Sequence, residues 1–223
     1  MERIKIPKNI FIPLIISLVL FLIPFFWFKP GEMDLGGDSS RLYFYDPLSY
    51  LSKAALYVIS PSSYGAEYLG YANIPFIFFL FILKSIVMSP TILICMFYGI
   101  SLSGAFLFTY LSIKELLNTK NSWWAAAVGG LVYTFSPSTV DGWKHVLITY
   151  NHVFLSPLVF YLLLRYFKTS NIRYLLGIVL VTFIFSPNFS VSAAPSIFSF
   201  YPISLLFLLL YTTLILKRKI IVK

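Results

Sequence analysis

The sequence predicts an all-α, polytopic membrane protein, and three observations carry that prediction. Of 223 residues, 59% are hydrophobic and 11% charged, whereas a soluble domain needs about 25% charged residues for its water-facing surface. The apolar residues gather into runs close to the ~20 that a helix needs to cross a hydrocarbon core of ~30 Å. The charges lie almost entirely between those runs, 17 Lys+Arg against 8 Asp+Glu.

The first run, 10–28, is too long for a cleaved leader, and Trp27-Phe28-Lys29-Pro30 offers no small-residue cleavage site, so it reads as an uncleaved anchor. A hydrophilic outer loop, 29–73, follows. Gly31, Gly36 and Gly37 let the chain turn sharply as it leaves the membrane. Asp46-Pro47 then predicts a helix start, with Asp at the N-cap and Pro at the first helical position. Leu48, Leu51, Ala55 and Ile59 recur on one face and Ser49, Ser52 and Lys53 on the other until Ser60-Pro61, the pattern of an amphipathic helix along the outer interface.

The segment 74–88 is apolar except for Lys84 and Ser85, and whether it spans decides the orientation of everything after it. If it is interfacial or re-entrant, the inner side holds Arg3, Lys5, Lys8, Lys114, Lys120, Arg165, Lys168, Arg173, Lys217, Arg218, Lys219 and Lys223, 12 of the 17 cations. If it spans, only Arg3, Lys5, Lys8 and Lys144 remain inside. Cytoplasmic loops carry the excess of Lys and Arg, which selects the first arrangement. Spans at 91–113, 122–137, 149–167, 173–187 and 196–216 complete a set of six, with both termini cytoplasmic in a cell-membrane protein. Ala125, Ala126, Gly129 and Gly130 form a small-residue face for helix packing in the third span. Ser-Pro recurs at 60, 89, 136, 156 and 186 and reads as punctuation where helices break at membrane edges.

The acids fall the other way: Glu32, Asp34, Asp38, Asp46, Glu67 and Asp141 lie outside and only Glu2 and Glu115 inside. The formal charge of +9 is therefore membrane topology rather than a nucleic-acid surface. The single cysteine, Cys95, excludes an intrachain disulfide and a cysteine-based zinc site, and its apolar surroundings make it a small core residue.

Candidate chemistry then concentrates outside. Asp34 and Asp38, four apart in a glycine-rich turn, have the spacing to supply a general base or to hold a divalent cation; solvated turn residues have the same pattern. Asp46 serves as a cap or a catalyst. Asp141, Lys144 and His145 share the second outer loop, and His145 and His152 share a face if one helix contains both, so Asp38, Asp141 and His145 are metal-ligand candidates. Arg41 and Lys144 are placed to neutralise a phosphate or to sit among headgroups. No G-x-G-x-x-G, P-loop, G-x-S-x-G, H-E-x-x-H or C-x-x-C occurs, which leaves no visible nucleotide site. No ionisable residue sits midway along the six spans, which argues against an ion-coupled transporter.

The residues from Asp38 to Phe79 open with D-S-S-R-L-Y-F-Y-D-P-L-S-Y-L and close with Y-G-A-E-Y-L-G-Y-A-N-I-P-F-I-F-F. Preceded by a single span and followed by aromatic-rich ones, this stretch resembles the start of the GT-C class of membrane glycosyltransferases, and more narrowly that of bacterial alpha-(1→3)-arabinofuranosyltransferases. Asp38 matches that family's first Asp and Asp46-Pro47 its Asp-Pro, while Ser39-Ser40 replace its Thr-Lys. L-V-Y-T-F-S-P at 131–137 is similar to the family's span ending in Ser-Pro. The resemblance covers roughly 31–164. It implies a sugar donor on polyprenyl phosphate at the outer leaflet and a glycan or lipid-linked acceptor. It also implies Asp38 as the base on the acceptor hydroxyl, with Arg41 or Lys144 at the phosphate leaving group, with or without a cation. Members of the class usually have more spans than six and often a soluble outer domain, so beside the resemblance the chain reads as an N-terminal portion, a split gene or a truncated form. The other readings are a non-catalytic subunit of a cell-envelope polysaccharide assembly and a lipid or polysaccharide transporter.

Overall fold

The computed structural model describes residues 8–27, 42–56, 73–117, 122–137, 139–140, 152–186 and 201–215, and every regular element among them is helical. The chain begins with α1 (Lys8–Leu22), tightened into a 3-10 turn (Ile23–Phe26) where Pro24 enters. Two short helices follow, α2 (Leu42–Tyr45) and α3 (Pro47–Leu56), then α4 (Ile74–Val87) and the long α5 (Pro90–Leu117). Next come α6 (Ser122–Thr134), α7 (His152–Thr169), α8 (Ile172–Ile184) and α9 (Tyr201–Leu210), which ends in a π turn (Tyr211–Ile215).

Helix α5 is the axis of the fold. It packs along α1, α6 and α7, and it buries residues all round its circumference, among them Leu93, Ile94, Phe97, Leu102, Ala105, Phe106 and Tyr110. Glycine lets the neighbours approach. A Cβ on Gly99 would strike the backbone oxygen of Phe21, and one on Gly130 would lie 2.9 Å from the Phe106 ring, so the backbones meet there as they do in small-residue membrane helix pairs. Of the small-residue face expected in α6, Ala126, Gly129 and Gly130 meet α5, with Ala127 joining them, while Ala125 is exposed.

The contacts fix the directions. Leu20 meets the Leu102–Phe106 region of α5 and Pro24 meets Cys95, so α1 runs against α5. Gly129 against Ile113 and Gly130 against Phe106, nearer the start of α5, set α6 antiparallel to α5. Gly177 against Leu162, with Tyr174 beside Arg165, does the same for α8 on α7. Tyr211 beside Leu116 brings the end of α9 to the end of α5. Among the described helices, α1, α5, α6, α7, α8 and α9 therefore alternate in direction, and Lys114, Glu115, Arg165, Lys168 and Arg173 share one end of the bundle, called the basic end below.

The outside of the bundle is apolar. Phe11, Leu14, Ile15, Leu18, Val19 and Leu22 line the free face of α1, Trp124, Val128 and Val132 that of α6, and Ile172, Leu176, Val179, Leu180 and Phe183 that of α8. The i, i+3, i+4 spacing that normally turns inward here faces outward as well. Soluble monomers rarely expose contiguous apolar patches beyond a few hundred Å².

One expectation is corrected, that a helix breaks at Ser156-Pro157. Of the six spans laid down from the sequence, α5 alone among the described helices is both long and apolar enough to cross a membrane. At 1.5 Å per residue its 28 residues reach ~42 Å, whereas the 13 residues each of α6 and α8 reach only ~20 Å. The Ser-Pro punctuation holds at Ser89-Pro90, between α4 and α5, and at Ser136 and Ser186, just past α6 and α8, but Pro157 lies inside α7. A proline leaves the carbonyl four residues back without its helical donor. That carbonyl belongs to Val153, and the Tyr133 hydroxyl of α6 donates to it at 3.0 Å. In α3, Leu48 of the apolar face is exposed, while Pro47 and, in α2, Phe44 are buried, so α2 supplies the aromatic anchor of this region.

Candidate functional site

The end of the bundle opposite the basic end is capped by α2, α3 and α4. Its centre is Phe97 of α5, whose ring meets Phe44 at 5.2 Å, Phe76 at 5.8 Å and Phe79 at 6.3 Å, all edge-on. That geometry is the favoured one for aromatic pairs. Phe185, just past α8, meets Phe76 at 5.7 Å and Phe154 of α7 at 5.4 Å. The inner face of α4 therefore rests on the Leu93–Tyr98 stretch of α5 and on Phe185, all at this end. Met88, with φ 56, turns the chain sharply from α4 into α5.

Asp46 stands between α2 and α3, and its Oδ1 accepts the Ser49 N–H at 3.0 Å. This is the N-cap that Asp46-Pro47 predicts, satisfying one of the free donors of the first turn of α3. Lys84 donates to the carbonyl of Tyr45, the last residue of α2, and Tyr43 packs edge-on against Tyr50 at 4.0 Å. The cation inside α4 thus pins the α2–α3 corner, and Asp46 stays exposed at its tip.

The other sequence candidates, Asp34, Asp38, Arg41, Asp141, Lys144 and His145, lie outside the described residues. His152 opens α7. Among the described residues no three His, Cys, Asp or Glu side chains converge as a metal site.

Family models, curated proteins and solved structures were all compared with the chain, and none matches.

The opposite end holds an arrangement that the sequence did not single out. Glu115 Oε1 meets Arg165 Nη1 at 2.6 Å and its Oε2 meets Lys168 Nζ at 3.4 Å. Arg165 also donates from Nε to the Tyr174 hydroxyl at 3.2 Å. Lys168 donates to the Glu115 carbonyl and lies 5.9 Å over the Tyr211 ring, while the Tyr211 hydroxyl reaches the Leu116 carbonyl at 3.4 Å. Two of the last four carbonyls of α5, which no helical N–H can reach, are therefore capped by side chains of α7 and the π turn. The cations also suit the negative end of the helix dipole. From the sequence these residues served only to set orientation; the available signal was Glu115, one of the two acids on the basic side.

Above this cluster, between α5, α7 and α9, lies an open cavity of about 260 Å³ lined by Thr109, Ser112, Ile113, Leu116, Phe160 and Ser204, together with Tyr133 and Pro157. Its wall is almost wholly apolar. The Ser112 hydroxyl is spent on Phe108 O at 2.7 Å and the Tyr133 hydroxyl on Val153 O. The Thr109 hydroxyl is buried without a partner.

Proposed function

We propose that the chain is a six-span protein of the cell membrane with both termini cytoplasmic, and that it acts at the outer face as a glycosyltransferase of the GT-C kind or as the N-terminal portion of one. The observation that carries the membrane part is the outward apolar face of α1, α6 and α8, combined with six rods of alternating direction whose cations gather at one end. Lipid is the solvent in which such a surface is stable, and the positive-inside rule turns the basic end to the cytoplasm. The short rods α6 and α8 match the bilayer by local thinning or by the chain that flanks them. In this orientation α4 lies at the outer interface, in keeping with the balance of charges.

The catalytic part rests on the sequence resemblance and on where Asp46 stands: an exposed carboxylate on an aromatic-anchored corner at the outer end. In this reading Asp38 removes the acceptor hydroxyl proton as it attacks the anomeric carbon of the donor sugar. Polyprenyl phosphate then leaves with its charge met by Arg41 or Lys144. Asp46 holds the α2–α3 corner.

Two experiments test the two parts separately. Cysteines at Ser62 and Thr119, placed in a Cys95→Ala background, are labelled from outside by an impermeant reagent at 62 and not at 119; the reverse pattern sinks the orientation. Asp38→Asn abolishes glycan transfer by cells that depend on this gene while leaving its membrane abundance unchanged, and full activity in that variant refutes the catalytic assignment.

A further inference from the structure

At the basic end, two cations, Arg165 and Lys168, share the single carboxylate of Glu115, and Arg173 stands in the first turn of α8 beside Tyr174. The cluster therefore carries excess positive charge. Its cations are not freely solvated: the Arg165 and Lys168 side chains are 29% and 15% exposed. Charges so shielded by protein attract an anion more strongly than surface lysines do.

The cluster is also continuous with the apolar cavity. Leu116, next to Glu115, lines the cavity, as does Phe160, and both pack on the Leu164, Leu208 and Tyr211 core that carries Lys168 over its ring. Phe207 joins Phe160 at 6.1 Å to Tyr211 at 6.4 Å, so one aromatic wall runs from the cations to the cavity. The cavity of about 260 Å³ holds on the order of nine water-sized groups at ~30 Å³ each. A wall that is almost wholly apolar, with two of its four hydroxyls held by backbone carbonyls, is a poor site for that much water and a good one for a stretch of acyl chain.

We propose that this end of the bundle is a binding site for one anionic glycerophospholipid of the inner leaflet. Its headgroup phosphate bridges Arg165 and Lys168, and an acyl chain enters the cavity between α5, α7 and α9. Basic recesses between helices on the cytoplasmic side recognise headgroups in this way. Glu115 is then a competitor as well as an orienter: it holds the two cations in place and gives them up in part to the phosphate. The site rests on the membrane reading but is independent of glycosyl transfer, because it lies at the other end of the molecule.

The test compares the purified full chain in nanodiscs of phosphatidylcholine with nanodiscs containing phosphatidylglycerol, reading thermal unfolding and the lipid retained on native mass spectrometry. Phosphatidylglycerol is retained and raises the Tm. Arg165→Gln and Lys168→Gln each weaken its retention roughly fivefold, the effect of about one cation near an anionic surface. Glu115→Gln retains it as well or better, and Ser204→Leu, which fills the cavity, reduces retention without touching a charge. A purely structural ion pair gives the opposite sign for Glu115→Gln, lowering retention and Tm together, and that result overturns the proposal. So do equal Tm values in the two lipids, or the same stabilisation from millimolar inorganic phosphate in phosphatidylcholine discs. Should the cation variants fail to fold, Glu115→Gln and Ser204→Leu still decide it. Failure of the membrane reading shows separately, as a chain that stays soluble after detergent is removed.

Discussion

Replacing Tyr133 with Phe removes one oxygen and tests how the fold accommodates a proline inside α7. Pro157 has no N–H for the carbonyl of Val153, a residue 3% exposed, and the Tyr133 hydroxyl fills that gap at 3.0 Å. A buried carbonyl left unsatisfied costs about 1–3 kcal/mol in water-soluble proteins, and hydrogen bonds between membrane helices average about 0.6 with a maximum near 1.7 kcal/mol. The expected cost of Tyr133→Phe is therefore about 1 kcal/mol. Pro157→Ala restores the helical donor four residues on, so in that background the cost of Tyr133→Phe falls by at least half. The difference between the two costs is the coupling energy of the pair. Reversible unfolding by SDS titration of mixed micelles, followed by far-UV circular dichroism, measures all four corners of the cycle. Equal costs of Tyr133→Phe in both backgrounds refute the account, because the hydroxyl would then be stabilising something other than the carbonyl that proline leaves free.

Gly99→Ala and Gly177→Ala test whether close backbone approach is general or local. The first places a Cβ against Phe21, 2.8 Å from its ring and closer still to its carbonyl, and costs about 1–3 kcal/mol by overpacking. The second meets Leu162 at an ordinary 3.6 Å and is neutral or stabilising by up to about 1 kcal/mol from helix propensity; the same SDS titration ranks them. Asp46→Ala loses the cap on α3 and about 1 kcal/mol locally, seen as faster amide exchange over 47–56. Asp46→Asn keeps the cap, so loss of glycan transfer in the Asn variant with exchange unchanged marks a chemical role beyond capping.

Much of the helical layout is legible along the chain because its causes are local. Asp46-Pro47 starts α3 and Ser89-Pro90 separates α4 from α5, since a cap and a missing N–H act within one turn. The two copies of Phe-Ser-Pro look alike in sequence, and both end helices. They differ in packing, however: Phe135 is exposed, while Phe185 is held by Phe76, Phe79 and Phe154. A repeated triplet contains no information about which partner lies opposite. Asp34, Asp38, Arg41, Asp141, Lys144 and His145 remain a sequence argument, whereas Asp46 is both a sequence and a structural one.

Composition and charge order, by themselves, determined that this chain is helical and apolar and that most of its acids lie in 29–73 and most of its cations outside it, because these are properties of single residues and their near neighbours. Only the tertiary structure decided that Glu115, Arg165, Lys168, Tyr174 and Tyr211 form one cluster, and that Tyr133 completes the hydrogen bonding of a helix interrupted by Pro157. The physical reason is the same in both cases. An ion pair or a hydrogen bond needs its partners within about 3 Å, and residues 9 to 95 positions apart reach that distance only when the helices are packed in a particular order and rotation.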